Sequence, residues 1–410
     1  MISFIHTADT HFGVENYGKV DSKTGLHSRL LDFQKSFEQV INFSIEKNVD
    51  FFLFCGDAYK TAYPTPTQQK LFLQPLMKLY NANIPVVIVI GNHDHPLSFG
   101  KANSLDVFNS LPIDGFHVFS KPDNLELKTK NGTIQIVGIP WPTRNNLITS
   151  NEYKLKDSKE ITKYLSNAVG KIIQDFADKL NPKIPAILAG HLTVSNGVFS
   201  GSEKCAIFGN DPIFLPSQLA IKPFNYVALG HLHRHQNLNP KGEIPIVYSG
   251  STEKIDFGER KEDKGFCFGK IDKSTNKCSY EFIKLKTRPI IQLEIELKSD
   301  EDQTKQILKK LDNTDITDAI LKIIYHIQED KKDKIDLQEI QRYCTKAMQL
   351  VSVTPIRKIL TREKRVSLKV DMKLETMLQK YLETKNDLNL DKEKIIEKAM
   401  ELYNNLITQD

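Results

Sequence analysis

The chain has 410 residues, 40% of them hydrophobic and 26% charged, with a net charge of +5. That length exceeds one ordinary core and asks for two or three domains, and the composition is that of a globular protein rather than a disordered or fibrous one. The longest apolar runs, such as "IPVVIVIG" from Ile84, are strand-sized against the roughly 20 residues of a membrane span, and no export signal opens the chain, so membrane residence is not expected. To about Lys286 strands and helices alternate. "ISFIHTA" (Ile2–Ala8) reads as a buried strand, and Leu30, Phe33, Phe37, Val40, Ile41 and Ile45 recur at helical spacing within His27–Lys47. "DFFLFC" (Asp50–Cys55) is the next strand, and Thr65-Pro66 opens a second helix as cap and first residue. "VVIVI" (Val86–Ile90) follows, then a hairpin with its turn at Asn131-Gly132, a helix over about Ser158–Leu180, and the strands "AILAG", "YVALG" and "IPIVYSG". The order predicts an α/β domain with a large central sheet or two facing sheets. After Arg288 lysine-rich helical stretches alternate with strands such as "AILKIIYHI", which predicts a smaller α+β domain. The tail carries two amphipathic helices, one presenting Leu374, Met377, Leu378, Tyr381 and Leu382, the other capped at Asp391 and presenting Ile395, Ile396, Ala399, Met400, Tyr403 and Leu406.

Five predicted strands stop at polar clusters: "HTADTH" (Asp9, His11), "CGDAYK" (Asp57), "IGNHDH" (Asn92, His93, Asp94), "LAGHLT" (His191) and "LGHLHRH" (His231, His233). In α/β sheets ligands gather outside the carboxyl ends of strands, so such clusters converge on one crevice. Carboxylate, imidazole and carboxamide suit a hard or borderline divalent cation. The five cysteines (Cys55, Cys205, Cys267, Cys278 and Cys344) are scattered without a CxxC pair, which argues against a thiolate site or a disulfide frame and fits a reducing cytoplasm. Asp9, His11, Asp57, Asn92, His191, His231 and His233 make seven potential ligands, too many for one ion; two ions about 3.5–4 Å apart that share a carboxylate would use them all. Such a pair suits in-line displacement at the phosphorus of a diester. Single histidines are ordinarily surface or core residues, and His6, His27, His117 and His326 are taken so. The run "ERKEDK" (Glu259–Lys264) is taken as a solvated turn, and the basic stretch Thr354–Lys369 as a linker.

The ordered set Asp-x-His, Gly-Asp, Gly-Asn-His-Asp, Gly-His and Gly-His-x-His resembles the calcineurin-like metallophosphoesterase superfamily. The resemblance implies a two-sheet α/β/β/α sandwich in which Asp9, His11, Asp57 and His233 hold one ion and Asp57, Asn92, His191 and His231 the second. It implies that His93 faces the scissile phosphate and that Asp94 orients the His93 ring. "TPTQQK", "HLTVSNGVFSGSEK" and "YSGSTEKIDFGERKEDKGF" are similar to the narrower family of SbcD-type nucleases. That likeness implies residues 1–287 as the nuclease domain, 288–360 as a DNA-binding capping domain and 361–410 as the helical segment that docks on an SbcC-like ATPase. It further implies Mn²⁺ as the metal and 3′-to-5′ exonuclease action on duplex ends. Endonuclease action on single strands or hairpins, a cytoplasmic, nucleoid-associated location, and a homodimer through helices near Thr65–Tyr80 and Lys101–Ser110 follow from the same likeness. One departure is Lys60, where the family often carries Asp or His; its ammonium touches a DNA phosphate or is a solvated loop charge. The alternative enzyme is a phosphoesterase of nucleotides or small diesters. A binding scaffold on the same fold ordinarily loses ligands, and here none is lost.

Overall fold

A computed structural model describes residues 1–96, 101–110, 114–143, 158–201, 211–298, 301–328, 331–358, 374–383 and 391–407. In chain order the first half contains β1 (Ile2–Thr7), α1 (Ser28–Glu46), β2 (Phe51–Phe54), α2 (Pro66–Asn81), β3 (Val86–Val89), α3 (Val107–Ser110), β4 (Phe116–Phe119), β5 (Asp123–Thr129), β6 (Gly132–Ile139) and α4 (Ser158–Lys179). There follow β7 (Ala186–His191), β8 (Thr193–Val194), β9 (Ile213–Phe214), α5 (Pro216–Leu219), β10 (Phe224–Gly230), β11 (Gln236–Asn237), β12 (Ile246–Tyr248), β13 (Gly265–Ile271) and β14 (Cys278–Lys284). The remainder holds β15 (Ile290–Glu296), α6 (Gln303–Asp312), β16 (Ile320–Gln328), α7 (Leu337–Tyr343), β17 (Gln349–Lys358), α8 (Leu374–Glu383) and α9 (Lys392–Ile407).

Two six-stranded sheets carry the larger body. Their orders are β14-β13-β1-β2-β3-β4 and β11-β12-β10-β7-β6-β5, with β1 to β4 mutually parallel and β6, β7, β10 and β12 likewise. Alternation along the strands decides the layers. Phe52 and Phe54 turn to a core with Leu30, Phe33 and Phe37 of α1 and Leu71, Phe72 and Leu76 of α2. Phe51 and Leu53 turn the other way and meet Ile134, Ile187 and Tyr226 of the second sheet. Beyond that sheet, Val137, Leu188 and Val227 pack with Val169, Ile173 and Ala177 of α4. The result is the α/β/β/α sandwich expected. Phe37 stacks on Phe72 with ring centroids 5.4 Å apart, and truncating it would cost roughly 3–5 kcal/mol.

Local chemistry explains the ends. The Thr65 hydroxyl accepts the Gln68 N–H while the Gln68 side chain accepts the Thr65 N–H, and Pro66 occupies the first turn, so α2 starts where the sequence places it. Two expectations shift. Within Lys101–Ser110 the structure forms only the single turn α3. The hairpin turn is Lys130-Asn131 rather than Asn131-Gly132, because Thr129 pairs with Gly132 and Asn131 donates its N–H and its carboxamide to the Asp50 carboxylate at 3.1 Å each.

The chain divides into two compact units, one of residues 1–293, 314–322 and 341–352, the other of 294–313, 323–340 and 353–410. A three-stranded sheet runs in the order β15-β16-β17. In the second unit Ile307 and Leu311 of α6, Ile323, Tyr325 and Ile327 of β16 and Ile340 of α7 are buried, and α8 packs on α9. Tyr381, Leu402 and Tyr403 of that helix pair remain exposed. The basic stretch from residue 359 to 369 lies outside the described residues. Among the described residues no helix is long and apolar enough to cross a membrane.

Candidate metal centre

Parallel pairing in both sheets brings the ends of β1, β2 and β3 to the ends of β7 and β10. The straps after β1 and β2 then run together: Asp9 N–H donates to Gly56 O at 2.9 Å, His11 N–H to Asp57 O at 3.1 Å and Phe12 N–H to Ala58 O at 2.9 Å. To aim their side chains inward, four ligand-type residues take left-handed backbone, with φ of 54° at Asp9, 42° at His11, 57° at Asp57 and 103° at His231. Such conformations cost about 1–3 kcal/mol each and persist only where the surroundings enforce them, a sign of a functional site. Two glycines make room. A Cβ on Gly56 (φ 92°) would lie 2.3 Å from His191 Nδ1, and one on Gly91 would lie 2.1 Å from Asp57 Oδ1.

The seven expected ligands meet. His11 Nε2 lies 3.0 Å from His233 Nε2 and 3.7 Å from Asp57 Oδ2. On the other side His191 Nε2 lies 3.4 Å from the same Asp57 Oδ2 and 2.9 Å from Asn92 Oδ1, which is 3.1 Å from His231 Nδ1. The other Asp57 oxygen accepts the His93 N–H at 2.8 Å, leaving Oδ2 between the two groups of imidazoles. Asp9 accepts the His231 N–H on both oxygens at 3.1 Å and shares one cluster with His11 and His233 and another with Asp57 and His191.

Several of these contacts make poor hydrogen bonds. His191 Nδ1 donates to Cys55 O at 2.7 Å, so in the neutral ring Nε2 has a lone pair, and it faces two oxygen acceptors. His233 Nδ1 is engaged by the Glu259 carboxylate at 2.8 Å, so its Nε2 lone pair faces His11. Among the described residues His231 Nε2 has no hydrogen-bond partner, and Asp211 Oδ2 lies 4.0 Å from it. Lone pairs converging at about 3 Å are what ligands about 2.1 Å from a shared ion, at right angles to one another, present. The donor set fits a divalent cation.

Electrostatics agree. Burial holds His11 and His231 well below the usual imidazole range, which keeps them neutral and able to donate. Burial alone would raise Asp57, but His191 and His93 facing it hold its carboxyl well below the ordinary range. Burial pushes Asp9 up to about 7, and His191, despite burial, is pushed up to about 9 by the Asp57 carboxylate. Without a cation the cluster thus retains protons that a cation displaces.

The structure corrects and extends the expected assignments. His93 is exposed, at the rim, with its ring centroid 5.0 Å from that of His11. Its ring is oriented not by Asp94 but by the backbone carbonyl of Lys60, 2.8 Å from Nδ1. Asp94 is fully buried and clasps backbone instead: it accepts the N–H groups of Asp57 at 2.8 Å, Gly91 at 3.1 Å and Tyr59 at 3.2 Å. The Lys60 side chain is exposed. The largest revision concerns Glu259 and Lys264, expected in a solvated turn and found buried beside His233. Trp141 is a further addition; its ring lies 4.9 Å from that of His231 and 6.0 Å from that of His191. The one sequence signal among these three residues is the membership of Glu259 and Lys264 in a family-like stretch. Of the histidines set aside, His6 binds Tyr226 Oη and Leu229 O in the core and His27 caps α1.

A two-sheet sandwich with this donor set at its strand ends defines a metal-dependent phosphoesterase. The family model described as calcineurin-like phosphoesterase matches residues 2–235, more than half of the chain, and the chain belongs to that family. Within it, the likeness to the SbcD type is borne out by curated relatives. The DNA double-strand break repair protein Mre11 of Methanococcus maripaludis is 26% identical over 312 residues, 75% of this chain and 73% of that one. The SbcD component of the nuclease SbcCD of Staphylococcus epidermidis is 26% identical over 336 residues, 78% of this chain and 82% of that one. Among solved structures, a dimetal phosphatase of Danio rerio is similar with a TM-score of 0.38 and 9% identity, over 65% of this chain and 92% of that one.

Proposed function

We propose that the protein is the nuclease component of an SbcCD-type DNA repair complex, a phosphodiesterase that uses two divalent cations, Mn²⁺ in the cell. The observation that carries this is the position of Asp57 Oδ2, 3.7 Å from His11 Nε2 and 3.4 Å from His191 Nε2, between two sets of buried donors. Asp9, His11 and His233 would hold one cation, Asn92, His191 and His231 the other, and Asp57 both. Cations bound there lower the pKa of water and offset charge on a phosphodiester. The chain's own contribution is threefold. Straps with left-handed backbone fix the donors. The half-buried Trp141 walls the side of His191 and His231. His93, held through Nδ1, offers Nε2 to a phosphate oxygen or to the leaving oxygen.

The substrate is DNA, by the names of the relatives, with 3′-to-5′ action on duplex ends and endonuclease action on single strands and hairpins as the expected activities. Residues 288–360 are assigned to capping and DNA contact, and the exposed ammonium of Lys60 to a DNA phosphate. Exposed Leu73 and Tyr80 on α2 support a homodimer through that helix, and exposed Tyr381, Leu402 and Tyr403 on α8 and α9 support docking of an SbcC-like ATPase. The test is incubation of the purified protein with labelled duplex and hairpin DNA in Mn²⁺ beside an Asp57→Asn variant. Mn²⁺-dependent cleavage abolished in the variant is expected. Brisk turnover of a small phosphodiester with no DNA cleavage would replace this reading with a small-molecule phosphoesterase.

A further inference from the structure

Glu259 ends a short 3-10 turn, Phe257–Glu259, and is fully inaccessible, and Lys264 is 2% exposed. Burying two such charges costs several kcal/mol per ion unless each is closely partnered. Here they are. One Glu259 oxygen meets His233 Nδ1 at 2.8 Å; the other accepts the Ile255 N–H at 2.9 Å and lies 2.8 Å from Lys264 Nζ. Lys264 Nζ in turn donates to the carbonyl oxygen of His233 at 3.0 Å and to Glu262 at 3.1 Å. The ammonium therefore grips the main chain of His233, while the carboxylate it pairs with grips the His233 ring.

The opposite half of the centre is built differently. There His191 Nδ1 donates to a neutral acceptor, the Cys55 carbonyl, at 2.7 Å. A carboxylate partner makes an imidazole a stronger lone-pair donor, and such partners are worth 10–100-fold in metal affinity. A buried ion pair adds little stability over apolar groups of equal volume, so the placement of this one against a ligand-type histidine is the informative fact.

We propose that Glu259, held by Lys264, is a positioning residue that fixes the tautomer of His233 and strengthens it as a donor. The cation held by Asp9, His11 and His233 then depends on this pair, while the cation held by Asn92, His191 and His231 does not. The inference rests on the two-cation reading above. The test is Mn²⁺ titration of the full chain by calorimetry and electron paramagnetic resonance, beside a Glu259→Gln/Lys264→Met variant that removes both charges and strands neither. The unaltered protein should bind two ions. The variant should bind one as before and the other about 10–100-fold more weakly. In its metal-free form the Nδ1–H resonance of His233 should move upfield as an amide replaces the carboxylate. Two ions bound as tightly as before, or both weakened alike, would overturn the proposal. Fewer than two ions on the unaltered protein would instead sink the two-cation reading and this inference with it. Should the variant not fold, the metal-free unaltered protein decides: a His233 proton found on Nε2 in its nitrogen-15 spectrum refutes the role, and one on Nδ1 supports it.

Discussion

Replacing Asp94 with alanine tests whether its carboxylate is the clasp between the loops that carry Asp57 and Asn92. Three buried N–H groups, from Asp57, Tyr59 and Gly91, lose their acceptor in the variant. Hydrogen bonds to a charged group contribute about 1.5–3 kcal/mol each. Against that, burial, joined by the nearby Asp57 carboxylate, pushes Asp94 from an ordinary 3.8 up to about 6 even with those bonds made, so the buried charge is held at a cost that takes up part of their energy. The net loss on Asp94→Ala is therefore about 2–6 kcal/mol, and Asp94→Asn, which keeps one acceptor but turns an amide donor toward N–H groups, should fall at the lower end. Urea unfolding of the metal-free protein, followed by circular dichroism, reads the loss, and Mn²⁺ titration reads its effect on Asp57. A change below about 1 kcal/mol with unaltered Mn²⁺ affinity would mean that the loops are held by something other than this carboxylate.

Three further outcomes are expected. His93→Asn should retain both cations while the rate of cleavage falls about 10²–10⁴-fold, checked by metal analysis and single-turnover kinetics; loss of metal would make His93 a ligand. Mn²⁺ affinity should depend on pH, because a cation needs His191 neutral and Asp9 ionised. With His191 at about 9 and Asp9 at about 7, protons compete increasingly below pH 9, by up to about tenfold per pH unit, and more steeply below pH 7. Titrations from pH 6.5 to 8.5 in buffers of different ionisation enthalpy should show tighter binding and proton release as pH rises, and pH-independent affinity would contradict the assignment. Deletion from Leu374 onward should leave a folded protein that binds Mn²⁺ but no longer captures an SbcC-like ATPase, measured by co-purification; undiminished capture would remove that role from α8 and α9.

The α/β/β/α layering was legible because two periodicities coexist in the sequence: Leu30, Phe33, Phe37 and Val40 at helical spacing, and runs such as Phe51–Phe54 in which both faces are apolar. The latter marks a strand buried on both sides, as Phe51 and Phe52 prove to be. The seven ligand-type residues were legible for a related reason, since polar side chains directly after apolar runs sit at strand ends. Glu259 and Lys264 gave no such signal. A mixed-charge hexapeptide with turn-forming neighbours is ordinarily solvated, and what buries this one is His233, 26 residues away along the chain in its bond to Glu259. Asp94 misled for the opposite reason. Its neighbour His93 invited a local pairing, whereas its carboxylate is used by Gly91 of its own loop and by Asp57 and Tyr59 at the end of β2, whose approach only the tertiary fold sets.

Trp141 is the chain's single tryptophan, and its indole rests against two of the imidazoles that gather at the centre. Ultraviolet excitation at the red edge therefore reports on one spot alone, with no background from other indoles. A paramagnetic ion arriving beside His231 should dim that emission, which gives the molecule an intrinsic optical gauge of occupancy for the half of the centre that Glu259 does not touch.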